Sequence, residues 1–271
     1  YNVDNSKVQY LGEGETKVES FIVQSVDGST TTVTITITGT DDLPVISADS
    51  GAATEGELTP VTGTLTVSDA DNPGLTFVAG NESRDYGRFE VGTDGKWSFV
   101  LADNATVDAL AAGDKHTEQF TVKLSDGSTT TVTITITGTN DAPVISSAAQ
   151  SGATAEDGPL TAAGTVSASD VDHDAVLSFT GDATGTYGSF TVDASSGAWL
   201  YTMTNSQSLS ANDRFTETFT VTVTDDKGAT TTQDVTITVT GTNDAPTLSI
   251  DKGVVVSEEG LAGGIADTAG N

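Results

Sequence analysis

Apolar and polar residues alternate along much of this chain. In the run 32–38, Val33, Ile35 and Ile37 take every second position and Thr takes the others. A strand here has one apolar face and one threonine face. The same alternation returns at 132–137 and 235–240, and a run led by phenylalanine precedes each, at 21–24, 120–124 and 219–223. Asp27-Gly28 and Asp126-Gly127 lie between paired runs, which is a hairpin signal. Another hairpin is predicted from Tyr86-Gly87-Arg88-Phe89 through Thr93-Asp94-Gly95 to Lys96-Trp97-Ser98-Phe99. Strands at Val45-Ile46 and 62–67 bring the total to about seven in roughly one hundred residues, as in an immunoglobulin-like sandwich. No long amphipathic helical period is evident, so the predicted class is all-β. Trp97 and Trp199 occupy equivalent strand positions and are expected in cores, not as sugar-stacking platforms.

One heptad punctuates the pattern. Gly138-Thr139-Asn140-Asp141-Ala142-Pro143-Val144 recurs as Gly39-Thr40-Asp41-Asp42-Leu43-Pro44-Val45 and as Gly241-Thr242-Asn243-Asp244-Ala245-Pro246-Thr247. Pro44 and Pro143 are 99 residues apart, and Pro143 and Pro246 are 103 apart. That spacing fits whole domains and is too long for a solenoid unit. Each heptad reads as a joint: Gly ends a strand and Pro fixes φ as the next domain begins. The expected organisation is the C-terminal part of a sandwich at 1–42, complete repeats at 43–141 and 142–244, and the start of another at 245–271. No signal peptide opens the sequence and Tyr1 falls in mid-pattern, so the chain is expected to be a piece of something longer.

Charge narrows the function. Ten Lys and Arg stand against 39 Asp and Glu, a net charge of −29. Phosphate contacts need basic residues, so no nucleic acid is expected as partner, and anionic membranes are disfavoured for the same reason. No apolar run reaches the roughly eighteen residues of a membrane span, so no direct membrane insertion is expected. Without Cys there is neither a disulfide framework nor a thiol site. Self-repulsion of this size opposes compaction. A hard divalent cation would offset it, the plainer reading being an acidic, halotolerant surface.

Strand direction gathers acids at the joints. The first strand runs from Pro44 to Glu55 at the far end of its domain, with Glu156 in the same place of the next. The following strand returns and delivers Asp69 and Asp71, or Asp170 and Asp172, to the incoming end. The closing hairpin opens beside Asp114 and Glu118 and runs out to Asn140 and Asp141. Glu15 and Glu19 precede Phe21 by six and two residues, as Asp114 and Glu118 precede Phe120 and Asp213 and Glu217 precede Phe219. The middle joint is therefore expected to gather Glu55, Asp114, Glu118, Asn140, Asp141, Asp170 and Asp172. Asp41 and Asp42 take the linker positions before Asp69 and Asp71, and Asn243 and Asp244 take those after Asp213 and Glu217. Asx turns and caps account for any one acid taken alone. Their convergence points to Ca2+, which takes six to eight oxygens, whereas bare carboxylates at this density would repel.

These motifs resemble a known family. Asn-Asp-Ala-Pro after a Thr/Val/Ile strand, Tyr-Gly-x-Phe, Gly-x-Trp and the Asp-Gly hairpin are similar to the VCBS repeats of giant RTX, type I-secreted bacterial adhesins. The layout also resembles cadherin repeats, whose acidic linkers, Asp-x-Asp motifs and strand-base acids bind interdomain calcium. The resemblance implies immunoglobulin/cadherin-like sandwiches in a linear array, export to the cell surface, folding driven by calcium, and a spacer role. Ligand binding is then expected elsewhere in the parent protein, with neighbouring repeats as the immediate partners. Asp41-Asp42-Leu43-Pro44 departs from the usual motif, and Ala142 and Ala245 stand where cadherin linkers carry another Asn-like ligand. Fewer ions per joint than in cadherins is the expectation.

Other chemistry is sparse. His116 and His173 are too few for a zinc motif, and His173 reads as a bystander in Asp170-Val171-Asp172-His173-Asp174. No nucleophile motif or phosphate loop occurs, so no enzyme is expected. The competing reading is a carbohydrate-binding or self-associating module, which would need an apolar or aromatic surface patch.

Overall fold

The computed structural model describes residues 1–204 and 209–245, so the further repeat expected at 245–271 lies outside them beyond Ala245. Strands make up the regular structure, apart from one 3-10 turn at Asn5–Lys7. Strands β1 (Thr16–Gln24) and β2 (Thr30–Thr38) form an antiparallel hairpin. Then come β3 (Val45–Ile46), β4 (Asp49–Thr54), β5 (Val61–Thr64), β6 (Val67–Ser68), β7 (Gly80–Arg84), β8 (Gly87–Val91), β9 (Lys96–Leu101), β10 (Lys115–Lys123) and β11 (Thr129–Thr137). The sheet β10-β11-β4 faces the sheet β5-β9-β8-β7, while β3 pairs with β6.

The plan is repeated by β12 (Val144–Ile145), β13 (Gln150–Ala155), β14 (Thr161–Thr165), β15 (Ala168–Ser169), β16 (Ser178–Thr180), β17 (Ala183–Thr184), β18 (Gly188–Val192), β19 (Ala198–Met203), β20 (Arg214–Thr224) and β21 (Thr230–Thr240). Its sheets are β13-β21-β20-β16 and β14-β19-β18-β17, with β12 on β15. The architecture is all-β, in tandem sandwiches, each with its own core.

The period-two pattern decides what is buried. In β11, Val132, Ile134 and Ile136 are wholly buried while the intervening Thr residues face outward. β2 carries the identical sequence TTTVTITIT, yet Val33 is 43% exposed. Alternation sets the apolar face; only an opposing sheet removes it from water, and among the described residues none faces β1 and β2. Trp97 and Trp199 are buried, as expected, against Phe89 and Phe190. Their indole N–H groups donate to Asp49 (2.8 Å) and Gln150 (3.1 Å). Gly127 turns the β10–β11 hairpin at φ +94°, in the left-handed region that favours glycine.

Two details depart from the expected strands. The first strand is split: β3 pairs antiparallel with β6, and β4 crosses to the other sheet, where it lies parallel to β11. β7 was not expected, because Gly-Asn-Glu-Ser-Arg has no apolar alternation; it is an edge strand exposed along its whole length, paired only with β8 among the described residues.

Candidate metal centre at the joints

Each joint begins at a glycine that nothing larger could replace. A Cβ on Gly138 would lie 2.3 Å from the Leu110 carbonyl, and Gly39 and Gly241 have the same close approach to Leu11 and Ser210. The loop before the closing hairpin is thus laid directly over the strand end. Main-chain bonds lock it there: Gly39, Gly138 and Gly241 donate to the carbonyls of Glu15, Asp114 and Asp213. The acid six residues before each Phe is therefore placed at the joint by its own backbone.

Residues one and three positions beyond the glycine are held by carboxylates from the two sides. Thr139 N–H donates to Glu55 (2.7 Å), and Thr242 N–H donates to Glu156 (3.0 Å). Asp141 N–H donates to Asp172 across the joint at 3.0 Å, as Asp42 N–H donates to Asp71. Asp170 in turn accepts from Asp172 N–H, and Asp69 from Asp71 N–H. In most of these carboxylates one oxygen is used and the other is not. Asp71 Oδ1, Asp170 Oδ2, Asp172 Oδ1 and Glu156 Oε1 are buried without a hydrogen-bond partner among the described residues. A bare buried carboxylate oxygen is costly unless a cation or further donor meets it.

Electrostatics shows that these groups feel one another. Burial raises Asp141 above the usual carboxylate range, with Asp108 and Asp170 adding to it. Burial likewise raises Asp172, helped by Asp170, Asp141 and Asp225. Glu55 is raised by burial and by Asp141 and Asp172, against the lowering from the Thr139 N–H. At the first joint Asp71 is lowered instead, chiefly by the Asp42 N–H. Two clefts flank the middle joint. One, of about 390 Å³, is lined by Glu55, Asp103, Asp108 and Asp141; the other, of about 280 Å³, by Asp114, Asn140, Asp172 and Asp226.

Some expected residues are placed elsewhere. Glu118 lies within β10 on the same face as Phe120, so its carboxylate turns toward the sandwich. It is opposite Ile134, about 10 Å short of the strand end at three residues' rise, and is held by Arg84 and His116. Glu217 accepts from Tyr187 N–H (3.2 Å) and Tyr201 O–H (2.6 Å). Glu19 accepts from Tyr1 O–H and lies near Lys17. The spacing to Phe was right, but two residues before Phe is the core face of the strand, not its end. Glu15 and Asp213 carboxylates accept from Gly12 and Ser210 N–H within their own loops. Asp41 makes no hydrogen bond or ion pair across its joint among the described residues, and Asn243 caps the Asp244 carbonyl. Among the described residues no three His, Asp or Glu side chains converge tightly enough to hold a metal by themselves. A cation here would draw on amide and main-chain oxygens as well.

Three participants escaped the sequence reading. Asp225, in the β20–β21 turn, accepts from the Asn140 side chain at 2.8 Å. Asp108 acts on Asp141 through charge. His173 is no bystander: its Nδ1 lies 3.1 Å from Asp114 Oδ2, and its N–H donates to the Ala109 carbonyl. The Asp-rich run around His173 was the available signal.

A family model described as bacterial cadherin-like domain matches residues 41–138 and 140–241. No curated protein matches the chain. Similar solved structures include PcdhgB3 EC1-4, 17% identical, covering 89% of this chain and 60% of that one at TM-score 0.46. Human mucin-like protocadherin EC1-2 is 18% identical, covering 73% and 98% at TM-score 0.44, and mouse cadherin-23 EC22-24 is 17% identical, covering 89% and 78% at 0.46. The chain therefore spans three fifths of the first of these. No helix among the described residues is long and apolar enough to cross a membrane. This chain belongs to the bacterial cadherin-like domain family, as two tandem copies of an extracellular, adhesion-type repeat that is structural and not enzymatic.

Proposed function

We propose that this chain is a calcium-rigidified spacer of a large bacterial surface adhesin of the RTX, type I-secreted kind, holding a binding domain away from the cell in adhesion or biofilm formation. Cadherin-like domains generally bind calcium at their linkers, and the unpaired carboxylate oxygens at these joints would suit that ion together with amide and main-chain oxygens. The observation that carries the reading is the set of bare buried oxygens on Asp71, Asp170, Asp172 and Glu156. Calcium would supply the hard positive charge that such oxygens lack. At the middle joint Asp170, Asp172, Asp141 and Asn140 would hold it, with Glu55, Asp114 and Asp225 nearby. With repeats bounded at 43–141 and 142–244, these ligands would belong to two sandwiches and their linker, so a shared ion would resist rotation between repeats. Burial of Trp97 and Trp199 takes both indoles out of play as sugar-stacking platforms.

Calorimetric titration of calcium into chelator-treated protein tests this. Binding is expected, and Asp172→Asn should weaken one site by at least about tenfold, because ligand charge sets affinity in such sites. Absence of binding, or an unchanged isotherm for Asp172→Asn, rules the reading out.

A further inference from the structure

The first and middle joints share a heptad but differ in what crosses them. At the first, Asp42 N–H reaches Asp71, and among the described residues no hydrogen bond or ion pair links residues 1–41 to residues 43–141. At the middle joint three more contacts bridge the repeats. Asn140 Nδ2 donates to Asp225 Oδ2 at 2.8 Å. His173 Nδ1 meets Asp114 Oδ2 at 3.1 Å, and His173 N–H donates to the Ala109 carbonyl at 3.1 Å.

The chemistry of each difference is plain in the residues. Asn140 has amide donors, whereas Asp41 in the equivalent place carries a carboxylate, whose oxygens accept. Asn72 stands where His173 does, with a shorter side chain. β20 has eleven residues against nine in β10, and both start five residues before their Phe, so the extra length lies at the turn. Asp126 stands equally six residues after its Phe but lies in the tighter turn, where it accepts from Ser128, whereas in the longer hairpin Asp225 directly follows the strand and meets Asn140. Its carboxylate is buried and anchored by the N–H groups of Lys227, Gly228 and Ala229 through the other oxygen, so it is a fixed target for Asn140.

We propose that the middle joint is a clasp closed by the protein itself: Asn140–Asp225 and His173–Asp114 hold the two repeats in one orientation without a cation, and calcium stiffens chiefly the joints that lack them. The second clause rests on the spacer reading; the first does not. A short linker keeps the paired groups at high local concentration, so a few bonds suffice to hold one orientation.

The chain has no Cys, so spin labels can be placed at will. Labels at the exposed positions Ser83 and Thr191 report across the middle joint, and labels at Ser83 and Thr129 report within one repeat. In chelator the wild-type chain should give one narrow distance across the joint. Asn140→Asp with His173→Asn, which copies the first joint's residues, should broaden that distance in chelator and leave the within-repeat distance unchanged. Calcium should narrow it again. A broad wild-type distribution in chelator, or a double variant as narrow as wild type, overturns the clasp. A double variant that broadens and is not narrowed by calcium keeps the clasp and overturns the calcium reading instead.

Discussion

Trp97→Ala is expected to destabilise the 43–141 repeat by about 3–5 kcal/mol, the range for deleting a buried aromatic. Its ring fills a slot floored by glycine: a Cβ on Gly63 would lie 2.4 Å from the indole, and one on Gly51 would lie 3.0 Å from it. Neither strand can move in to close the void, because neighbouring side chains are already in contact. The substitution also strips Asp49 of its indole N–H partner. Trp199→Ala should do the same to the next repeat, where Gly164 and Gln150 take the corresponding places. Each variant leaves one tryptophan in the untouched repeat, so urea unfolding followed by fluorescence should show that repeat unchanged while calorimetry shows the other melting early. Variants that melt like the parent would put the indoles outside the cores.

Calcium should raise the melting temperature of the wild-type chain. Each site contributes about 2.7 kcal/mol at a hundredfold excess over Kd, provided the unfolded chain does not bind. The increment should depend on pH. Without calcium, Asp141, Asp172 and Glu55 are raised by burial and by neighbouring carboxylates, so the folded state binds more protons than the unfolded one. Their contribution to stability is fully present below the ordinary carboxylate range and is lost as pH rises through the raised values. Calcium takes the ionised forms, so binding releases protons and restores what rising pH removed. The increment should therefore grow from about pH 4, near unperturbed carboxylate values, to neutrality. Equal melting temperatures in chelator and millimolar calcium at neutral pH would dispose of the metal centre.

Much of this was legible in the sequence, for a physical reason. Alternation at Val132, Ile134 and Ile136 specifies a buried face, and Asp-Gly between two such runs specifies the turn. The Asp-x-Asp pairs reached the joints because a strand returning to its starting end must carry its trailing residues there. Parity was the weak point. Glu118 and Glu217 share the face of Phe120 and Phe219, so they turn inward, whereas Asp114 precedes its strand and reaches the joint. The Asn140–Asp225 contact belongs to a hairpin whose strands are each two residues longer than their counterparts, and its partner across the joint is set by side-chain placement that spacing alone does not give. Nor does sequence show that β3 and β4 belong to different sheets, since Ser47 and Ala48 look like any polar pause in a strand.

The parallel pairing of β4 on β11 has a mechanical meaning. Six residue pairs, from Asp49 with Val132 to Thr54 with Thr137, join the strand that receives the chain to the strand that releases it. A pull on the two ends of the repeat draws these strands past each other along their length. Their hydrogen bonds lie across that direction, so all share the load together and none can open first as in a zipper. β13 and β21 repeat the arrangement from Gln150 with Val235 to Ala155 with Thr240. Resistance to force is an unfolding-rate property. In each repeat it is vested in the ladder that ties the strand entering the fold to the strand leaving it.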